Sequence, residues 1–189
     1  GIGSMEEPGF LREAGIELPM YFDQGMYSWN HLAGAAMERY GADRLTIPVE
    51  LNEREIRDSG VQGEMIVYGY LPMMISAQCI RKTTIGCSGK SEIMWLKDRK
   101  DMRFPVVNQC RFCYNTIYNS APLSLLGLSE QVTGLKPNAV RLNFTVEEPA
   151  AAGEILDAFF EEYGMSEKAA EPPVLRNQFT RGHFKRGVE

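Results

Sequence analysis

Short apolar runs alternate with stretches whose apolar residues recur at helical spacing. This alternation constrains the chain more than any other feature. Leu18-Pro19-Met20-Tyr21-Phe22 reads as a buried strand. Ser28 is placed to cap a helix in which Trp29, Leu32, Ala33, Ala36, Met37 and Tyr40 share one face, and Gly41 is placed to stop it. Arg44 to Val49 reads as the next strand, irregular at Pro48 because proline cannot donate to a ladder. Asn52-Glu53-Arg54-Glu55 has the layout of a capping box, with Leu51 and Ile56 as its hydrophobic staple, opening a short helix that Gly60 ends. Glu64 to Tyr70 predicts a third strand and Asn138 to Val146 a fourth. Between them, Pro122 to Gly134 predicts a helix that buries Leu123, Leu126 and Leu128. Pro149 suits the first turn of a last helix, with Ala151, Ile155, Ala158, Phe159 and Tyr163 facing inward and Gly164 at its end.

Strands alternating with helices imply βαβ units and a parallel sheet. Four such units are about half of a (β/α)₈ barrel, which usually takes ~250 residues. Half a barrel leaves raw edges. The expected architecture is therefore α/β: a partial, half β/α-barrel-like domain over 17–164, interrupted by a Cys-rich insertion at 71–120. That insertion contains a β-hairpin, Glu92 to Lys97 and Met102 to Val107, turning at Asp98-Arg99-Lys100-Asp101. Residues 1–16 read as a loop or a cloning remnant, and 165–189 as a basic C-terminal tail. The expected partner is the missing N-terminal half of the barrel or a second subunit.

Composition excludes several other classes. Hydrophobic residues at 44% and charged residues at 24% are ordinary globular values, unlike those of a disordered or fibrous chain. The net charge of −5 argues against bulk electrostatic binding of nucleic acid. The most apolar stretch, Met65 to Ile80, is broken by Tyr68, Gly69, Pro72, Ser76 and Gln78, so no membrane partner is expected. No signal peptide is visible, which points to the cytoplasm.

The four cysteines carry the strongest chemical signal. Cys79 and Cys87 are separated by seven residues, Cys87 and Cys110 by twenty-two, and Cys110 and Cys113 by two. In a non-secreted chain, cysteines point to metal or redox chemistry before disulfides. The Cys110-x-x-Cys113 pair can direct both thiolates at one centre. Four soft sulfur donors suit zinc or an iron–sulfur cluster. Cys-x₇-Cys is not a zinc-ribbon spacing, which shifts weight toward a cluster. The hydroxyls of Thr83, Thr84 and Ser88 are candidate donors to its sulfurs. Arg81, Lys82 and Arg111 add positive charge nearby. Four idle thiols or two disulfides are the alternatives.

Val49-Glu50-Leu51-Asn52, Tyr70-Leu71-Pro72-Met73-Met74-Ile75-Ser76-Ala77-Gln78-Cys79, Cys110-Arg111-Phe112-Cys113-Tyr114-Asn115 and Gly182-His183-Phe184-Lys185-Arg186-Gly187 resemble the collagenase-like peptidases, family thirty-two among peptidases of unassigned catalytic type. The resemblance covers most of residues 18–189 and corresponds to the C-terminal portion of longer proteins. It implies two activities: collagen degradation, and oxygen-independent hydroxylation of RNA or a quinone precursor in branches that hold a 4Fe–4S cluster on four cysteines. By motif match the ligands here are Cys79, Cys87, Cys110 and Cys113, although the spacings differ from those branches. The cofactor implied is a 4Fe–4S cluster in the intact protein, with zinc as the alternative. An isolated fragment handled in air can lose such a cluster.

A serine or cysteine protease needs a nucleophile beside a base. The chain offers only His31 and His183, and it has no His-Glu-x-x-His and no Gly-x-Ser-x-Gly. His31 reads as a helix-surface residue. His183 either folds back over the site or ends in solvent. Glu50, Asn52, Asp23 and Asn30 follow predicted strands, where barrel active sites form. Glu50, Asp23 and His183 are therefore the catalytic candidates, and Asn30, Asn52, Arg181 and Lys185 the candidates for binding substrate. From Val174 onward Arg176, Arg181, Lys185 and Arg186 outweigh Glu189, a net +3, with Phe179 and Phe184 interleaved. That pattern suits RNA contact or a solvated arm. RNA or peptide is the expected substrate. A metal-stabilised, non-catalytic binding module is the reading from another class.

Overall fold

The computed structural model describes residues 1–164 and 178–187. The part of the expected tail at 165–177, with Arg176, and the last two residues lie outside them. The chain is mixed α/β. Six helices and sheets of two, three and four strands are present among the described residues, and no sheet closes into a barrel. It divides into two compact units. One holds the described residues of Gly1–Val67, Leu125–Leu142 and Arg181–Glu189, and the other those of Tyr68–Ser124 and Asn143–Thr180.

In the first unit, α1 (Glu7–Glu13), β1 (Tyr21–Phe22), α2 (His31–Tyr40), β2 (Arg44–Leu45) and α3 (Glu53–Ser59) lead into β3 (Glu64–Gly69). β1 and β2 pair in parallel, Phe22 opposite Leu45, and Thr46 continues the parallel succession onto Glu64. The strands are cut to two residues because the ladder yields to turns after Phe22 and before Pro48. Phe22 and Leu45 point inward and join Ile2, Met26 and Val61 in one core cluster. The alternate residues Tyr21 and Arg44 stay outside, with the guanidinium 5.3 Å from the ring centroid.

Several expectations change here. Residues 1–16 are not a loop or remnant: Ile2 is buried and bridges Phe22 in parallel, and α1 follows with Pro8 in its first turn. Asn30, not Ser28, caps α2, since its Oδ1 accepts from Ala33 N at 2.9 Å. Ser28 is buried and donates to the Thr46 carbonyl. Gly34, which packs against Val61 and Leu45, faces the core with Ala33, Met37 and Tyr40 half-buried beside it, while Trp29, Leu32 and Ala36 are exposed. α3 has the predicted capping box, and Leu51 and Ile56 are both buried. α2 and α3 stop at Gly41 and Gly60 in the left-handed conformation.

The second unit is built on a four-stranded antiparallel sheet, β4 (Pro72–Ser76), β5 (Glu92–Lys97), β6 (Arg103–Gln109) and β7 (Tyr114–Tyr118), in the order β4-β7-β6-β5. β5 and β6 are the predicted hairpin. The helix predicted for Pro122 to Gly134 is instead β8 (Leu123–Ser124), a turn, and α5 (Ser129–Gly134). Leu123 and Ser124 pair with Gly69 and Tyr68, and Leu123 bridges Thr180 in parallel. Pairing on both edges overrides the helical preference of a leucine run. α5 and all of β9 (Ala139–Asn143) but its last residue belong to the first unit; the three-stranded order is β8-β3-β9. α6 (Pro149–Glu162) starts at proline as expected and buries Ile155, Ala158 and Phe159. No described helix is long and apolar enough to cross a membrane.

Candidate metal centre

Strand register decides where the cysteines go. Ser76, the last residue of β4, pairs with Asn115 at the start of β7. Gln109, the last of β6, pairs with Tyr114, and Glu92, the first of β5, pairs with Asn108. Cys79 therefore leaves β4, Cys87 approaches β5, and Cys110 and Cys113 turn from β6 into β7, all at one end of the same sheet. Residues far apart in sequence arrive together because an antiparallel sheet returns its strands to the same edge.

Buried amides hold these loops. Asn115, fully buried, donates from Nδ2 to the Gln78 carbonyl at 2.7 Å and to the Ser76 carbonyl at 3.4 Å. Asn108, also buried, accepts from the Cys79 thiol at 3.8 Å. Cys79 caps the five-residue α4 (Ile80–Thr84), its sulfur accepting from Lys82 N at 3.5 Å. Cys110 N donates to Ser91 Oγ at 3.1 Å. Cys113 adopts φ 56°, which tightens the turn after Cys110, and its thiol donates to the Cys110 carbonyl at 3.7 Å.

All four cysteines are free thiols, so neither of the alternative disulfides is present. Cys79 and Cys110 are half-buried, and Cys87 and Cys113 are exposed. Desolvation first, then the nearby Cys87, Cys113 and Cys79 sulfurs, push the Cys110 thiol above its ordinary range. Among the described residues, however, no three His, Cys, Asp or Glu side chains already stand as a coordination set. Four thiols are donors of the kind a soft metal or cluster takes, but the described side chains do not form a coordination set.

The predicted hydroxyl donors do not reach the sulfurs. Thr83 and Thr84 donate back to carbonyls of their own helix, as short polar side chains in helices do. Ser88 donates to Glu92 Oε1 at 2.9 Å, tying the Cys87 loop to β5. Arg81 pairs with the same carboxylate at 2.7 Å, which answers its charge locally.

The catalytic and substrate-binding candidates do not form one site. Asp23 accepts from Gln24 N and pairs with Arg141 at 2.6 Å, and Arg141 reaches Glu64 at 3.2 Å. This triad lines a cavity of about 190 Å³ with Tyr21, Arg44 and Thr46, and Glu50 is not among its walls. Asn30 and Asn52 are helix caps. Arg181 donates to the Leu126 carbonyl at 2.6 Å, and Lys185 pairs with Glu53 at 3.7 Å. His183 Nδ1 donates to the Gly187 carbonyl at 2.8 Å, closing a turn. Both histidines belong to the first unit and the cysteines to the second.

The described end of the chain is not a free arm either. Phe184 is 3% exposed, and its carbonyl accepts from Glu53 N at 2.9 Å, one of the donors a helix start leaves open. A buried ring cannot stack on a base. Sequence reasoning missed Asn108, Asn115 and Ser91; the available signal was asparagine at inward positions of otherwise apolar strands. Arg141 carried no signal, because its partners come from distant segments. Comparison with family models, curated proteins and solved structures finds no match.

Proposed function

We propose that this chain is a cysteine-ligated metal protein in which Cys79, Cys87, Cys110 and Cys113 hold one 4Fe–4S cluster. One observation carries the reading: three separate loops of one antiparallel sheet deliver four free thiols to the same end. The Cys-x₇-Cys spacing favours a cluster over zinc. Closure of the ligand set then accompanies loading, since metal binding and local ordering are coupled in cysteine sites. Asn115 and Ser91 position the loops through backbone bonds, and Asn108 accepts from the Cys79 thiol itself. A bound cluster supplies one-electron chemistry.

The resemblance to collagenase-like peptidases sets the frame. The chain is read as a C-terminal portion, with the parallel succession β1, β2, β3 and its intervening helices as part of a half β/α barrel, in a reducing compartment such as the cytoplasm. Between the two activities that the resemblance implies, oxygen-independent hydroxylation is the reading adopted. Among the described residues no histidine is paired with a cysteine or serine as a protease requires, and the cysteines suit redox chemistry.

Anaerobic isolation of the full chain, with iron, sulfide, zinc and visible absorption measured together, tests this. The expected result is a brown protein with iron and sulfide in equal amounts, lost in each Cys→Ser variant. A colourless protein holding one zinc would instead make this a structural site. Gelatin hydrolysis that persists in a Cys79→Ala, Cys113→Ala protein would separate any peptidase activity from this centre.

A further inference from the structure

The second unit leaves one edge of its sheet unguarded. In the order β4-β7-β6-β5, β4 and β5 are the edges, each with one neighbour in that sheet among the described residues. An edge strand offers unpaired N–H and C=O groups to any other strand, and proteins commonly blunt it with charge. β5 is blunted: it begins at Glu92 and ends at Lys97, with Lys90 and Asp98 just outside it. β4 is not. No charged residue occurs from Gly69 to Ile80. Pro72, at its first position, is the only residue of the strand without an N–H to offer.

The side chains of β4 lie open as well. Met73, Met74 and Ile75 are 62%, 56% and 70% exposed. Met74 and Ile75 are consecutive partners of Ile117 and Thr116, so they point to opposite faces of the sheet. Neither face of this strand is covered. An element laid over one face would leave the apolar residue of the other in water. A strand added alongside β4 touches both.

We propose that β4 pairs antiparallel with β4 of a second copy of this chain, joining two four-stranded sheets into one of eight strands. A two-fold axis through the middle of the strand sets each Met74 beside its own counterpart, and Met73 of one copy beside Ile75 of the other. Such an axis places a central residue against itself, so a charge there would meet a like charge. The uncharged stretch from Gly69 to Ile80 escapes that penalty. A second copy therefore supplies a strand of equal length, apolar on both faces and free of charge. The inference does not depend on the metal centre.

Sedimentation equilibrium of the full chain over ~1–200 µM, where a small interface associates, tests this with Met74→Lys and Met74→Glu. Both replace an exposed side chain, so the fold should tolerate them. The expected result is a dimer that dissociates on dilution. Each variant alone should raise the dissociation constant by about tenfold or more, because like charges then stand opposite one another in the contact. Mixed in equal amounts, the two variants should associate again, since each lysine then faces a glutamate. Hydrogen exchange on the unsubstituted chain reads the same contact without a substitution: the amides of Met73 to Ser76 should slow as concentration rises. A chain that stays monomeric over the whole range overturns the proposal and leaves the edge to a strand of a different protein. A dimer indifferent to both variants, or one whose Met73 to Ser76 amides exchange as in the monomer, overturns it by placing the contact elsewhere. Variants that are monomeric alone and remain so when mixed overturn the two-fold register.

Discussion

Replacing Phe184 by alanine gives the sharpest test of how the end of the chain is used. The ring is 3% exposed in the first unit. Removing it forfeits about 2 kcal/mol of transfer free energy, and the cavity left behind raises the total to about 3–5 kcal/mol for a buried phenylalanine. The lower end applies here. Phe184 borders an open cleft of about 320 Å³ shared with Asn52, Arg54 and Arg57, so water or these long side chains can fill part of the space. If the segment also detaches, the bond from Glu53 N to the Phe184 carbonyl is lost, about 1 kcal/mol more. Guanidinium titration should show the loss in the first unit, and hydrogen exchange should show faster exchange at the Glu53 amide. Phe184→Leu should retain most of the stability. A shift of about 0.5 kcal/mol or less, the range of surface substitutions, with unchanged Glu53 protection, would refute the packing and restore a solvent-facing, RNA-contacting tail.

Asn52→Ala removes a two-way capping box from α3 and should cost about 1 kcal/mol in thermal or denaturant unfolding. Gly187 has φ +77°, and a Cβ there would lie 2.7 Å from Asn52 Nδ2, so Gly187→Ala should cost about 1–3 kcal/mol. Measured in the Asn52→Ala background the cost should shrink, because one obstructing atom is gone; strict additivity would contradict this contact. Tyr163 carries a buried hydroxyl with no partner among the described residues, and burial, then Glu162, push its ionisation up to about 12 from 10.0. The folded form holds its proton more tightly than the unfolded one. Its contribution is therefore whole below pH 10 and declines as pH rises toward about 12. Tyr163→Phe should be neutral or stabilising at pH 7 and should lessen the alkaline loss; an unaltered pH profile would count against the burial.

Local rules were legible wherever one residue and its near neighbours decide the outcome. The Asn52 to Glu55 capping box, the helix stops at Gly41 and Gly60, the irregularity at Pro48, the hairpin turn at Asp98 and the proline start of α6 follow from backbone chemistry alone. What pairing partners decide was not legible. Leu123 and Ser124 become a strand because Gly69 and Thr180 lie beside them. Leu32 turns outward because α2 packs through Gly34 against Val61 and Leu45. At the site, the cysteines announced themselves by residue type. The amides that hold their loops did not, since Asn108 and Asn115 matter only once register brings them under Cys79 and Gln78. Asn30, Asn52 and His183, chosen for following strands or for their chemistry, each make a local bond, while Asp23 both caps its own turn and pairs with the distant Arg141.

X-ray absorption at the metal edge, on anaerobically prepared full-length protein, reads the ligands of the cysteine centre directly. The account predicts an iron edge, a first shell of sulfur only at ~2.3 Å, comparable to other metal–thiolate bonds, and a nearby iron shell, with sulfur replaced by lighter atoms or metal lost when any of Cys79, Cys87, Cys110 or Cys113 becomes serine. A first shell of nitrogen and oxygen, or metal retained unchanged in all four variants, would contradict it.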